Sequence, residues 1–283
     1  MCEFCHKHGE GEKWYLHARN YGEDLLSDAR RQEVIRDVLL TPEKTRDDWA
    51  KLDRLDKAPS VVQRAIRGRI TARMKREHFG QVIPIEDVER IFGFVNSIVR
   101  VPCVCRQVTL NDRDARYCYG IALGPGAASK FGEILASLDG SFASGPDTSG
   151  LETLDRETAL QNFREHEKEG LCHTVWTFVT PFIGGICNCD RADCLAMRAT
   201  VTYGAKVMFR AEYVAEVDWE KCSGCRRCMQ VCQFGALGFS AAARKVMVDQ
   251  RACYGCGVCR AVCTKEAITL LERTSVPEVA NVW

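Results

Sequence analysis

The chain has 283 residues, 46% of them hydrophobic, and 39 Lys and Arg against 38 Asp and Glu. That length supports two or three domains with a sizeable core, and a formal charge of +1 gives no global pull toward nucleic acid or acidic lipid. Seventeen cysteines, an odd number and several times ordinary usage, exclude a pure disulfide framework and point to metal ligation.

The first residues read MCEFCHKHGEGEKW. Cys2-x-x-Cys5-His6 has the spacing for covalent attachment of a c-type haem, but that needs export, and the basic start, apolar h-region and cleavage site are missing. Cys2 and Cys5 are instead a candidate metal pair, with His6, His8 and His17 nearby in sequence, because C-x2-C normally draws a second ligand pair from elsewhere. An ordered, reduced tail is the competing reading. Residues 1–83 read as a helical region. SDARRQEVIRDVLL offers Ser27 as a cap and Val34, Ile35, Val38 and Leu39 at helical spacing, with Thr41-Pro42 as its end. SVVQRAIRGRITARMKREHFG sets Arg64, Arg67, Arg69, Arg73, Lys75 and Arg76 against one acid, Glu77. Arg69 and Arg73 fall beside Val62 and Ile66 on the helical wheel. That favours docking to an acidic partner over nucleic-acid binding, with a plain solvated helix as the alternative.

Residues 84–208 read as a cysteine-rich middle domain. Pro84 with Glu86 and Asp87 starts a helix, since acids suit the positive end of its dipole; the helix leads into Pro102-Cys103-Val104-Cys105-Arg106. GPGAAS at 124–129 is a poor echo of a dinucleotide loop, without the third glycine or a preceding strand. ETALQNFREHEKEGLCH is an amphipathic helix that stops at Gly170. TVWTFV has strand character, Gly184-Gly185 marks a turn, and ICNCDRADC places Cys187, Cys189 and Cys194 close together. The apolar stretch TVWTFVTPFIGGIC is too short and too interrupted for the roughly 20 residues of a spanning helix. A cytoplasmic protein with no membrane span is therefore expected.

Residues 209–275 contain a repeat at an offset of 31 residues: VDWEKCSGCRRCMQVCQFGAL aligns without a gap on VDQRACYGCGVCRAVCTKEAI. Each copy carries C-x2-C-x2-C-x3-C, and residues 276–283 form a tail. Gly224 and Gly255, between the first two cysteines of each copy, allow close approach of the backbone. A zinc site is the competing reading, although zinc ribbons separate two C-x2-C pairs by longer loops.

This repeat resembles the bacterial two-cluster ferredoxin domain, which implies two [4Fe–4S] clusters. In that family the fourth cysteine of each run ligates the other cluster. The resemblance therefore assigns Cys222, Cys225, Cys228 and Cys263 to one cluster and Cys253, Cys256, Cys259 and Cys232 to the other. Gln233 and Thr264 stand where proline commonly follows the fourth cysteine. The P-C-x-C-R element, the helix ending in G-L-x-H and the I-C-N-C element resemble an anaerobe iron–sulfur protein family in which they precede such a domain. Relatives often carry more cysteines after I-C-N-C, where this chain has Asp190 and Asp193.

A third site, iron–sulfur or zinc, is expected from the middle cysteines, with Cys103, Cys105, Cys187 and Cys189 as the preferred set, Cys118 and Cys194 as further donors and His173 as an alternative ligand. Two C-x-C pairs on facing loops present four thiolates to one metal. Buried, reduced thiols that bind nothing are the competing reading.

The fold expected is thus α+β: a helical N-terminal region, a small cysteine-rich α/β middle domain and a C-terminal bacterial ferredoxin-like domain. The function expected is single-electron transfer through two [4Fe–4S] clusters, as a subunit of a larger anaerobic oxidoreductase without substrate turnover of its own. The partner expected is a flavin- or metal-containing oxidoreductase subunit. Over residues 211–275 nine Lys and Arg face seven Asp and Glu, fewer acids than a freely diffusing ferredoxin uses for steering. The competing classes are a redox enzyme with chemistry at the middle site and an iron–sulfur regulator that binds nucleic acid through the basic helix.

Overall fold

In the computed structural model the described residues are 1–40, 42–125, 133–134, 144–145, 148–149 and 152–283. Residues 126–129 of the GPGAAS segment, and Thr41, lie outside them. A strand, Cys118–Ala122, does precede that segment, contrary to expectation.

The N-terminal helices follow the sequence reading with one correction. Helix α1 spans Glu3–His8, α2 Ala29–Leu40, α3 Pro42–Leu55 and α4 Ser60–Glu77. The cap of α2 is Asp28 rather than Ser27: its carboxylate accepts from the Arg30 N–H at 2.9 Å, while the Ser27 hydroxyl turns back to the Asp24 carbonyl. An ionised acceptor at that position also meets the helix dipole. Helix α4 buries no residue among those described; Val61, Val62 and Ile66 are exposed, and several of its cations are paired within the chain, Arg67 with Asp56 and Lys75 with Glu3.

The chain then builds a mixed sheet. Its strands are β1 (Gly80–Ile83), β2 (Ser97–Val101), β3 (Cys118–Ala122), β4 (Glu152–Thr153), β5 (Cys172–Thr177), β6 (Ile183–Cys189) and β7 (Met208–Phe209), in the order β4-β2-β3-β6-β5-β1-β7. All pairings are antiparallel except β1 with β7. The helical region therefore ends at Glu77, and residues 80–83 belong to the sheet. Helices α5 (Ile85–Phe94) and α7 (Arg156–Lys168) cover one face, where Phe92 meets Phe163 and Phe163 meets Tyr119. Trp14, Tyr15 and Tyr21 join the same core, so the first segment packs with the middle domain. The 276–283 tail is packed too: Trp283 stacks on Phe209 with ring centroids 4.5 Å apart.

Period-2 alternation sorts β5 between the two faces. Val175 joins the helix-covered core and His173 lies against Phe163, whereas Cys172 and Trp176 point to the opposite face with Cys189 of β6. Short helices α6 (Val104–Leu110) and α8 (Leu195–Val201) flank the same cysteine-bearing face.

The C-terminal repeat folds as two interlocked halves. Strand β8 (Tyr213–Val217) pairs with β11 (Ile268–Glu272), and β9 (Leu237–Ser240) with β10 (Lys245–Val248), both antiparallel. Each two-stranded sheet takes one strand from each copy of the repeat. One-turn helices α9 (Arg227–Gln230) and α10 (Val258–Ala261) follow the two cysteine loops. Val231, Phe234, Tyr254 and Val258 cover the cysteine-bearing face of the large sheet. Gln233 clamps the docking, accepting from the Arg191 N–H at 2.9 Å and donating to the Gly170 carbonyl at 2.8 Å. Proline at this position has no side-chain amide, so the departure from the ferredoxin pattern has a structural reason.

Two outcomes follow from this packing. His173 is fully buried, and burial pushes its imidazole down to about 4 from an ordinary 6.5. Between those values the unfolded chain takes up a proton that the folded chain refuses. The stability linked to His173 is therefore whole above about pH 6.5 and lost as pH falls toward 4, by roughly 3 kcal/mol. Denaturant melts from pH 4 to 7 should show this acid limb, and His173→Gln should shrink it, leaving the part due to His78, which burial also pushes down to about 4. Gln233→Ala should cost about 1 kcal/mol, since water can replace it at the exposed Arg191 N–H and only the Gly170 carbonyl is shielded, and amide exchange around Arg191 should quicken while the repeat stays folded.

Candidate metal centres

The cysteines of the repeat enclose two cavities. One is lined by Cys222, Cys225 and Cys228 of the first copy together with Cys263 of the second. The other is lined by Cys253, Cys256 and Cys259 of the second copy together with Cys232 of the first. Loops cross because the strands do: with β8 held by β11 and β9 by β10, the fourth cysteine of each copy emerges beside the loop of the other.

The glycines make the same exchange. Gly224 and Gly255 have φ of +70° and +68°, a region that L side chains rarely adopt. A Cβ on Gly224 would lie 2.2 Å from the Arg244 carbonyl oxygen of the second copy. On Gly255 it would lie 2.1 Å from that of Tyr213, the matching residue of the first. Backbone donors also reach the sulfurs. Ala236 N–H points to Cys232 Sγ at 3.3 Å and Ala267 N–H to Cys263 Sγ at 3.4 Å, while the Ala215 and Gly255 N–H groups point to Cys253 Sγ, each at 3.4 Å. Such donors stabilise thiolate over thiol. Four sulfurs around each cavity, with backbone amides aimed at them and no Cβ at the tightest point, fit an iron–sulfur cluster.

The two cavities differ in setting. Cys225 is exposed, and the Arg227 backbone N–H lowers its thiol below the ordinary range. In the second set burial raises Cys253, Cys256 and Cys259. Trp219 of the first copy and Met247 of the second, both exposed, flank Val246, which lines the first cavity. One cavity thus looks outward and the other toward the sheet.

Six further cysteines converge on the covered face of that sheet. Cys103 and Cys194 sit at the N-caps of α6 and α8, Cys118 lies opposite Cys187 in the β3–β6 register, and Cys189 is two residues on. Cys118 contacts both Cys103 and Cys187; Cys194 contacts both Cys105 and Cys189; and Cys103 touches Cys105. These contacts run in a chain from Cys187 through Cys118, Cys103, Cys105 and Cys194 to Cys189, and no three of the six sulfurs lie within 4.8 Å of one another. Hydrogen bonds from Cys105 and Cys118, with Arg106 beside it, hold the Cys103 thiol well below its ordinary range. Arg106 reaches Cys103 Sγ at 3.8 Å and the Asn188 carbonyl at 3.5 Å, and is ion-paired with Asp190. Asp190 therefore ties the two cysteine loops together rather than standing in for a lost ligand. His173 lies on the other face, its Nδ1 2.7 Å from Asn188 Oδ1, and takes no part in this cluster.

Sequence reasoning missed two residues here. Cys172 is fully buried on the cysteine-bearing face, and the signal for it was its even spacing with Thr174 and Trp176. Glu212 had no signal: its place is set by tertiary contacts with Cys2, Cys5 and Arg273. Those three side chains bring their ligand atoms within 4.8 Å of one another, all buried.

No described helix is long and apolar enough to cross a membrane. A search of curated proteins finds no match to the chain. Residues 210–267 match the family described as the 4Fe-4S dicluster domain, which places iron–sulfur electron transfer in the C-terminal part of the chain.

Proposed function

We propose that the protein carries single electrons through two [4Fe–4S] clusters, as a subunit of a larger anaerobic oxidoreductase in the cytoplasm. The observation that carries this reading is the pair of cavities, each lined by three cysteines of one copy and the fourth of the other. In this assignment Cys222, Cys225, Cys228 and Cys263 hold one cluster and Cys253, Cys256, Cys259 and Cys232 the other. Such a cluster supplies a one-electron change of oxidation state, tuned by hydrogen bonds to its sulfurs and by exposure. The chain's residues do the rest. Buried Ala236, Ala267 and Val246 keep water from the small core, and the amides near Cys232, Cys253 and Cys263 stabilise the thiolates. The exposed Cys225, with Trp219 and Met247, gives a flavin- or metal-containing partner a surface to meet.

The six middle cysteines are assigned to a third thiolate-bound metal centre. Four of them, Cys105, Cys187, Cys189 and Cys194, lie in one apolar cluster with Cys172, Cys256 and Tyr254, so this centre adjoins the inner ferredoxin site. Thiolate ligands and a nearby guanidinium suit iron or zinc, and Arg106 offsets part of the charge that several thiolates would gather.

Cys263→Ala should abolish the spectrum of the centre held mainly by the first copy and lower bound iron by about four per chain. Damage confined to the second copy would overturn the crossed assignment. After anaerobic reconstitution, total iron plus zinc should exceed the roughly eight irons of two cubanes, and Cys187→Ser with Cys189→Ser should remove only the excess. Eight irons, unchanged in that variant, would make the middle cysteines structural.

A further inference from the structure

Outside these centres, two more thiols face each other. Cys2 and Cys5 are 2% and 0% exposed, and their sulfurs are 3.1 Å apart. Cys5 Sγ lies 3.3 Å from Glu212 Oε1, and the same oxygen accepts the Cys2 N–H at 2.9 Å. The other carboxylate oxygen is held by Arg273 at 2.6 Å, a pair almost wholly removed from water. A metal ion is poorly served by this arrangement. It would find three donors, and it would bring positive charge beside a buried guanidinium that already neutralises the carboxylate. Two sulfurs need to close by only about 1 Å to reach the roughly 2.05 Å of a disulfide.

The pair also abuts the iron–sulfur domain. Glu212 immediately precedes β8, and the N–H of its neighbour Ala211 donates at 3.0 Å to the carbonyl of Tyr254, which stands between Cys253 and Cys256. Arg273 closes the same corner from β11, its Nε 3.3 Å from the Ala211 carbonyl. Lys13 bonds Glu272 at 2.9 Å and holds the N-terminal segment against β11.

We infer that Cys2 and Cys5 form a redox-active dithiol–disulfide couple that exchanges electrons with the adjoining iron–sulfur domain, an inference that rests on the electron-transfer reading above. In the reductive direction the S–S bond breaks, the disulfide takes two electrons, and each sulfur gains one proton. Both protons come from solvent at the exposed Met1 end, and the Cys5 thiol once formed donates to Glu212 Oε1, which stays ionised against Arg273. The reductant is the chain's own one-electron domain, because burial shuts both sulfurs off from the in-line approach of an external thiolate. A disulfide needs two electrons, and a two-centre domain holds two.

The test uses the full chain, purified anaerobically, held either oxidised or reduced with reduced methyl viologen, then denatured and blocked with N-ethylmaleimide. The peptide from Met1 to Lys7 contains both thiols. It should be unlabelled and two hydrogens lighter in the oxidised sample, carry two maleimide adducts in the reduced one, and return on reoxidation. Two adducts in both samples would overturn the couple, as would protection without loss of hydrogen that a chelator relieves, since that marks a bound metal. Cys253→Ala, checked for fold by circular dichroism, should slow reduction of the disulfide by viologen at least tenfold; an unchanged rate would overturn the internal route. Iron content of the same samples reads the electron-transfer assignment separately. Wild-type protein that takes up no iron on anaerobic reconstitution, while its peptide still loses and regains two hydrogens, would overturn that assignment and leave the thiol couple standing.

Discussion

Val231, Phe234, Tyr254 and Val258 of the C-terminal domain bury the face of the large sheet on which Cys172 and Cys189 lie, and the loss of water from that face governs what the structure can hold there. Thiolates gathered in a dry setting repel one another and lose hydration, so they persist only beside a cation or a metal. The chain supplies the first of these itself, through Arg106, packed 3.7 Å over the Tyr117 ring and paired with Asp190. Cover and charge depend on each other. Without the C-terminal domain the face would be wet, and without Arg106 the dry face would strand its negative charge.

A second buried charge pair organises the opposite side of the C-terminal domain. Arg273 is 2% exposed, and it binds Glu212 and the carbonyls of Val279 and Ala280. One guanidinium thus joins the last strand, the entry to the domain and the chain end, while Glu212 passes the connection on to Cys2 and Cys5. Removing one partner of such a pair costs about 3–5 kcal/mol, because the other is left buried and unmatched. The N-terminal segment, the domain entry and the C-terminal tail are consequently one packed unit, closed by Trp283 against Phe4, Phe79 and Phe209.

Between these two anchors, the repeat works by exchange. Each copy donates a strand to the other's hairpin, a fourth cysteine to the other's cavity, and a carbonyl that the other's glycine loop needs room to approach. Neither half encloses a cavity alone. The outer cavity remains near solvent at Cys225, and the inner one is pressed toward the sheet.

The sequence by itself determined the repeat, its eight cysteines and the α+β character, because ligand spacing in a short loop is a local property and the two copies carry it without a gap. It also marked both C-x-C elements and the N-terminal C-x2-C. Only the tertiary structure decided which of those cysteines meet. Cys118 reaches Cys187 through strand register, and Cys194 reaches Cys105 through two helix starts 91 residues apart, relations that leave no periodic trace. The same holds for His173, sent to the far face by one step of strand alternation, and for Gln233, whose amide spans two domains. Glu212 is the extreme case: an ordinary acid in sequence, it becomes a partner of Cys2 and Cys5 only because folding removes the water from between residues 207 and 210 positions apart.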